Sequence, residues 1–204
     1  MSAASPPRLS APERREAIVA TALHIFSARS YRGVTTAEIA REAGVSEPIL
    51  YRHFASKREL YLACLEEAWQ QLRRGWEEAV AATVEPAEWV PAMAAAAAAR
   101  HRLKGFLANF WIQAITEAAE DAEIAAYLRR HVREVHDFVA EMIRRCQVAG
   151  GIPRDRDAEA EAWIFLAGGL LLTFAQRLGG VLSAEDLARI QTARRRWMTP
   201  DAVD

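Results

Sequence analysis

Apolar and polar residues hardly ever alternate in this sequence. Alanine is abundant, glycine and proline are sparse (10 and 8 of 204 residues), and no β-branched run reads in steps of two. That pattern excludes a sandwich or barrel and points to an all-α chain. Cysteine is nearly missing. Cys64 and Cys146 are too few for a disulfide framework, and their spacing suits neither a zinc site nor a redox pair. Both fall in apolar helical patterns and read as buried thiols of a reducing compartment. Long apolar runs are lacking too. The longest uncharged stretch of the C-terminal part, 162–176, has 15 residues, against the roughly 20 that span a bilayer. It reads as a buried helix, and no membrane partner is expected. No secretory pattern opens the chain. Residues 1–9 form a short Pro/Ser-rich tail expected to be disordered, and the expected location is the cytoplasm.

Catalytic signatures are equally scarce. There is no Gly-x-Ser-x-Gly elbow, no glycine loop to cradle phosphate and no metal-spaced His/Cys cluster. His131 and His136 are five apart, so on a helix they point about 140° away from each other, with Glu134 between them. An enzyme, a metal or a cofactor is therefore not expected. The net charge of −1 argues against a polycation that coats nucleic acid. Its distribution is more telling. Residues 1–60 carry 9 Lys and Arg against 6 Asp and Glu, and the remainder 17 against 21. A basic head on an acidic body confines nucleic-acid contact to one end.

That end holds the densest set of signals. Ser10-Ala11-Pro12-Glu13 is a capping box that opens a helix with Ile18, Val19, Ala22, Leu23 and Phe26 on one side. Thr35 and Glu38 form a second box, followed by the apolar positions Ile39, Ala40 and Ala43. Gly44 stands where a helix ends with positive φ. Ser46 is placed as an N-cap with Pro48 in the first turn behind it. Ile49, Leu50 and Phe54 then supply the inward face of the next helix, while Glu47, Tyr51, Arg52 and His53 lie outward. Ser56-Lys57-Arg58-Glu59 reads as another box, whose helix N-terminus and Lys57 suit a phosphate. Three helices can close a core around Phe26, Ile39, Leu50 and Phe54. The arrangement is a helix-turn-helix, whose second helix fits the major groove.

The segments Tyr31-Arg32-Gly33-Val34-Thr35-Thr36, Ile39-Ala40, Ala43-Gly44-Val45-Ser46, Leu50-Tyr51-Arg52-His53-Phe54 and Ser56-Lys57 resemble the signature of the TetR family of transcriptional regulators, over about residues 13–62. Pro48 departs from the pattern, since many relatives carry glycine or another small residue there. The resemblance implies an all-α homodimer, usually a repressor, that leaves a palindromic DNA operator when a small ligand binds. It places Thr36, Tyr51, His53 and Lys57 at phosphates, and Ser46, Glu47, Pro48 and Arg52 nearer the bases. Arg52 is the best candidate for a guanine edge. Activation instead of repression, or control without a ligand, stays open.

The expected domains are a helix-turn-helix head over 10–56 and a ligand-binding and dimerisation body over 57–204, with about nine helices in all. One long helix is expected over 57–83, broken at Glu85-Pro86. A second stretch covers 87–120, interrupted near Arg100. A short helix follows from Asp121 to Leu128, another over 130–149, and a final pair over 157–178 and 184–197. The family places its ligand pocket among the long middle helices. Candidates there are Trp69, Trp76, Met93, Phe106, Phe110, Trp111, Tyr127, Phe138, Met142 and Trp163, with Asn109, Gln113 and Thr116 as a polar stripe. Aromatic wealth and few internal charges point to a hydrophobic effector. The helix over 157–178 is apolar on nearly every side, which cannot face water. Trp163, Phe165, Gly168, Gly169, Leu172, Leu187 and Ile190 are therefore the candidate dimer interface, within a four-helix bundle of two subunits.

Overall fold

The computed structural model of the chain describes residues 10–104 and 106–198, with side chains at 98 and 100–109 left out. Among the described residues there are nine α-helices and no strand. These are α1 (Ala11–Ala28), α2 (Thr36–Glu42), α3 (Glu47–His53), α4 (Lys57–Ala81), α5 (Trp89–Lys104), α6 (Phe106–Ala118), α7 (Ala122–Val148), α8 (Ala158–Leu178) and α9 (Ala184–Met198). A single 3-10 turn, Pro86–Glu88, lies between α4 and α5.

Local chemistry sets most boundaries. Ser10 and Thr35 each accept the N–H three residues on, and Glu13 and Glu38 reach back to the cap N–H. The Glu38 carboxyl is held down at about 2, first by the Thr35 N–H and then by Arg29. Gly44 ends α2 at φ +67°, where a Cβ would be strained. Asp121 and Asp157 cap α7 and α8. Ser183 and Asp186 exchange bonds of 3.0 Å at the start of α9.

One boundary differs from the sequence reading. The expected break between 128 and 130 is absent, because α7 is one helix of 27 residues. Ile124, Leu128, His131, Val135, Val139, Met142 and Cys146 make an unbroken buried stripe along it, while Arg129 and Arg130 face outward. Two adjacent charges on the solvent side interrupt composition, not helical geometry. In the stretch 87–120 the first residues form the 3-10 turn, and 89–104 and 106–118 are helical, with residue 105, near the expected interruption, outside the described residues.

Phe26, Ile39, Leu50 and Phe54 are fully buried, as the three-helix head requires. Their core does not stop at the head. It continues through Leu60, Tyr61, Cys64 and Leu65 of α4 to Phe110, Ile124 and Leu128. The Tyr61 ring meets Phe26 and Phe110 edge-on, each at 5.0 Å. The expected 56/57 boundary thus falls just before a helix whose first turns fill the head's own core. A second core, around Trp69, Trp76, Met93, Val139 and Ile143, lies within the body.

Glu161 ties α9 to α8. Its buried carboxylate accepts the Trp197 indole N–H at 2.6 Å and a hydrogen bond from the Arg194 guanidinium. By length and composition α8 is the one described helix that could cross a membrane. A buried, ion-paired carboxylate joining it to a neighbouring helix is a feature that lipid-facing helices avoid.

Candidate DNA-contact face and ligand cleft

The α2–α3 angle is closed by three of the expected contact residues. Thr36 Oγ1 donates to Glu47 Oε1 at 2.6 Å and lies 3.1 Å from Tyr51 Oη. Thr36 is buried, so it and Glu47 bind each other across the angle instead of facing outward. Ser46 occupies the N-cap position, yet its hydroxyl caps nothing and is exposed. Pro48, Tyr51 and Arg52 are exposed. Among the described residues Arg52 makes no hydrogen bond or ion pair, so its guanidinium is unspent. His53 is half-buried, and its Nε2 is enclosed without a partner.

Lys57 opens α4, with its ammonium 4.4 Å from the centre of the Tyr31 ring. Burial lowers its pKa. The box expected at Ser56 is shifted: Ser56 accepts the Glu59 N–H at 3.1 Å, but the Glu59 carboxylate takes the Ala55 N–H. An Arg52→Ala variant should relax preference at one base position, costing about 1–3 kcal/mol there. Lys57→Ala should weaken every sequence alike and reduce the salt slope by about one. Titrations across single-base operator variants at several salt concentrations separate the two. Uniform losses for Arg52→Ala would remove its base role.

The head is pinned to the body by groups that sequence reasoning passed over. Arg58 reaches Asp121 Oδ2 at 3.0 Å and Glu123 Oε1 at 2.7 Å, at the start of α7. Arg32 meets Glu117 at 3.5 Å and pairs with Glu120, at the end of α6. In the orientation that satisfies its neighbours, the Gln113 amide donates to the Phe26 and Arg29 carbonyls at 3.0 and 3.1 Å. Those carbonyls belong to the end of α1, where a helix leaves acceptors unpaired. The missing glycine after α1 was the only sequence signal that an outside donor was needed.

In the body, α4 to α9 enclose an open cleft of about 1980 Å³. Trp69, Trp76, Trp111, Leu128, Phe165 and Leu171 are among its walls. It exceeds the roughly 300–1,000 Å³ of an ordinary small-molecule site, so it joins an inner pocket to open surface along α8 and α9.

Residues 18–64 match the family described as "Bacterial regulatory proteins, tetR family". The chain belongs to the TetR family. Over 140 residues it is 33% identical to the HTH-type transcriptional activator FasR of Mycolicibacterium smegmatis. That match takes in 68% of this chain and 62% of FasR, so the chain spans about three fifths of that relative's length. A TetR-family transcriptional regulator from Agrobacterium tumefaciens superposes with a TM-score of 0.74 at 18% identity, over 93% of this chain and 99% of that one. The regulator AibR, in complex with isovaleryl coenzyme A and operator DNA, superposes with a TM-score of 0.64 at 22% identity, over 89% and 97%.

The expected pocket residues of this TetR-family chain separate into several groups. Trp69, Trp76 and Trp111 line the cleft. Met93, Phe138 and Met142 stand behind it in the second core, with the Phe138 ring 5.8 Å from Trp69. Phe110 belongs to the first core. Tyr127 donates to Glu66 at 3.0 Å, and Trp163 lies outside, stacked on His136 at 4.2 Å. Gln113 is turned to α1, and exposed Thr116 donates back to Ile112. Gln113 and Thr116 therefore do not line the cleft: the first serves the end of α1 and the second its own helix. Phe106 and Asn109 fall among the side chains outside the description.

The interface candidates also divide. Trp163 and Ile190 are exposed, and a Cβ added at Gly168 or Gly169 would meet nothing within 4 Å. Leu172 and Leu187 are half-buried along the cleft. Phe165 turns inward, 5.6 Å from the Trp76 ring, so it packs within the subunit.

Proposed function

We propose that this TetR-family chain is a sequence-specific DNA-binding transcriptional regulator, a homodimer that holds a palindromic operator as a repressor. A small hydrophobic ligand in the cleft releases it. The observation that carries the reading is the outward face of α3, where Ser46, Tyr51 and Arg52 stand exposed with Arg52 unpaired. The far end supports it. Ile164, Leu170, Leu171, Phe174 and Leu178 are exposed along α8, and an apolar surface of this extent calls for a partner. A second copy supplies it symmetrically and spaces two α3 helices about one DNA turn apart, near 34–36 Å. AibR, crystallised with both a ligand and operator DNA, supports the pairing of the two functions. The reading is that of a cytoplasmic regulator, not an enzyme.

The route from cleft to head runs through α6. Trp111 and Ile112 line the cleft, while Gln113 and Glu117 hold the head. A ligand that displaces Trp111 shifts the donors at the end of α1. Release follows only where the ligand binds the displaced state more tightly. Footprinting on DNA beside the chain's own gene, at near-physiological salt with competitor DNA, tests the reading. A protected palindrome is the expected result. Failure to select any sequence from a random DNA pool as well would overturn it. Because FasR is an activator, a second reading keeps the same operator contacts with the opposite sign, and a promoter-reporter assay decides between them.

A further inference from the structure

The hydrogen-bond chain across the α2–α3 angle has a fixed direction. Thr36 is buried, and its Oγ1 lies 2.6 Å from Glu47 Oε1 and 3.1 Å from Tyr51 Oη. A carboxylate only accepts, and a threonine hydroxyl carries one proton. The Thr36 proton is therefore taken by Glu47. The contact between Thr36 and Tyr51 needs a second proton, and only the phenol has one to give. Tyr51 thus donates inward to Thr36, Thr36 donates to Glu47, and the chain ends on a negative charge. Reversing it would set Thr36 Oγ1 against Glu47 Oε1 at 2.6 Å with no proton between them. Bonds that end on an ionised acceptor are the stronger kind, which holds the direction.

That direction decides what Tyr51 presents outward. Its side chain is 46% exposed, and with the proton turned inward its oxygen offers only lone pairs. A phosphate oxygen is an acceptor too, and the Glu47 charge at the end of the chain repels it. The place at a phosphate that the family resemblance implies for Tyr51 does not suit this polarity. Base edges in the major groove differ from one another. Guanine and thymine present acceptors there, whereas adenine N6 and cytosine N4 present amino hydrogens. Tyr51 and Arg52 stand three and four residues after Pro48, and all three are exposed, so they share one face of α3. A register that brings Arg52 to a base edge brings Tyr51 beside it.

We propose that Tyr51 reads a base, its Oη accepting a hydrogen bond from the exocyclic amino group of an adenine or a cytosine. Thr36 and Glu47 are positioning residues that set the direction of the phenol proton. The inference rests on the reading of the chain as a sequence-specific DNA-binding regulator and names one contact within it.

Selection from a random DNA pool supplies an operator for the test. In synthetic duplexes each adenine is replaced in turn by purine and each cytosine by pyrimidin-2-one, which lack the amino group. The weaker pairing of these bases is common to wild type and variant, so it cancels in a double-mutant cycle with Tyr51→Phe. At one position of the half-site, removing the amino group should weaken the wild type by roughly threefold to tenfold, the contribution of one neutral hydrogen bond. Tyr51→Phe should bind the intact operator weaker by the same factor and lose nothing further at that position. Thr36→Val keeps the side-chain shape but breaks the chain, so the coupling should vanish, and Thr36→Ser should restore it. Circular dichroism checks that each variant folds, and if Thr36→Val does not, the Tyr51→Phe cycle decides alone. Equal losses for Tyr51→Phe on every duplex would make Tyr51 a phosphate contact and overturn the proposal, as would no loss at all. Coupling that persists in Thr36→Val would overturn the role of Thr36 and Glu47. A pool that yields no operator overturns the regulator reading and this inference with it. A selected operator with no amino group coupled to Tyr51 overturns this inference alone.

Discussion

Gly168→Arg is expected to give a folded monomer whose operator affinity is down roughly a hundred- to ten-thousandfold. The loss is large because a dimer binds its second half-site at the effective concentration set by the first, and a monomer forfeits that gain. The variant should still fold. A Cβ at Gly168 meets nothing within 4 Å, and arginine is a better helix former than glycine. Ile164 and Leu171 flank the position at helical spacing, both exposed. A charge placed among them would have to be buried unpaired in a symmetric interface, at a cost the contact cannot repay. Light scattering beside circular dichroism reads both halves of the expectation. A variant that remains dimeric would take this face of α8 out of the interface.

Phe26→Ala is expected to cost about 3–5 kcal/mol, out of the roughly 5–15 kcal/mol that holds a folded chain together. The melting temperature should fall by roughly 6–20 °C. Phe26 is fully buried, and its ring lies edge-on to Tyr61, which lies edge-on to Phe110. The cavity would therefore open at the junction of head and body. Calorimetry should show one transition, shifted as a whole, since the first core joins the two parts. A separate low-temperature transition of the head alone would restore the boundary at 56/57 as an energetic one.

The parts legible in the sequence are those governed by neighbours along the chain. Helix starts at Ser10, Thr35, Asp121 and Asp157 could be placed because a cap acts within three residues. Gly44 could be placed because only glycine adopts its backbone at low cost. The buried face of the head followed from helical spacing, and the family from motifs packed into some fifty residues. Legibility failed between 128 and 130, where a break was expected although the buried stripe of α7 continues past Arg129 and Arg130. It failed again at Gln113, since a polar residue at helical spacing looks the same whether it faces a ligand, solvent or another helix.

Alone, then, the amino-acid order determined the all-helical class, the helix-turn-helix with its exposed Arg52, and an apolar C-terminal helix in need of cover. Local propensity and spacing suffice for these. Only the tertiary structure decided that Thr36 is spent on Glu47, that Gln113, Arg32 and Arg58 fasten the head to the α6–α7 corner, and that the Trp76 indole N–H and the His131 ring are buried without partners. Each depends on which residue from a distant segment arrives opposite. The pairing of polar groups is settled by that arrival, because a hydrogen bond is made or missed within a fraction of an ångström.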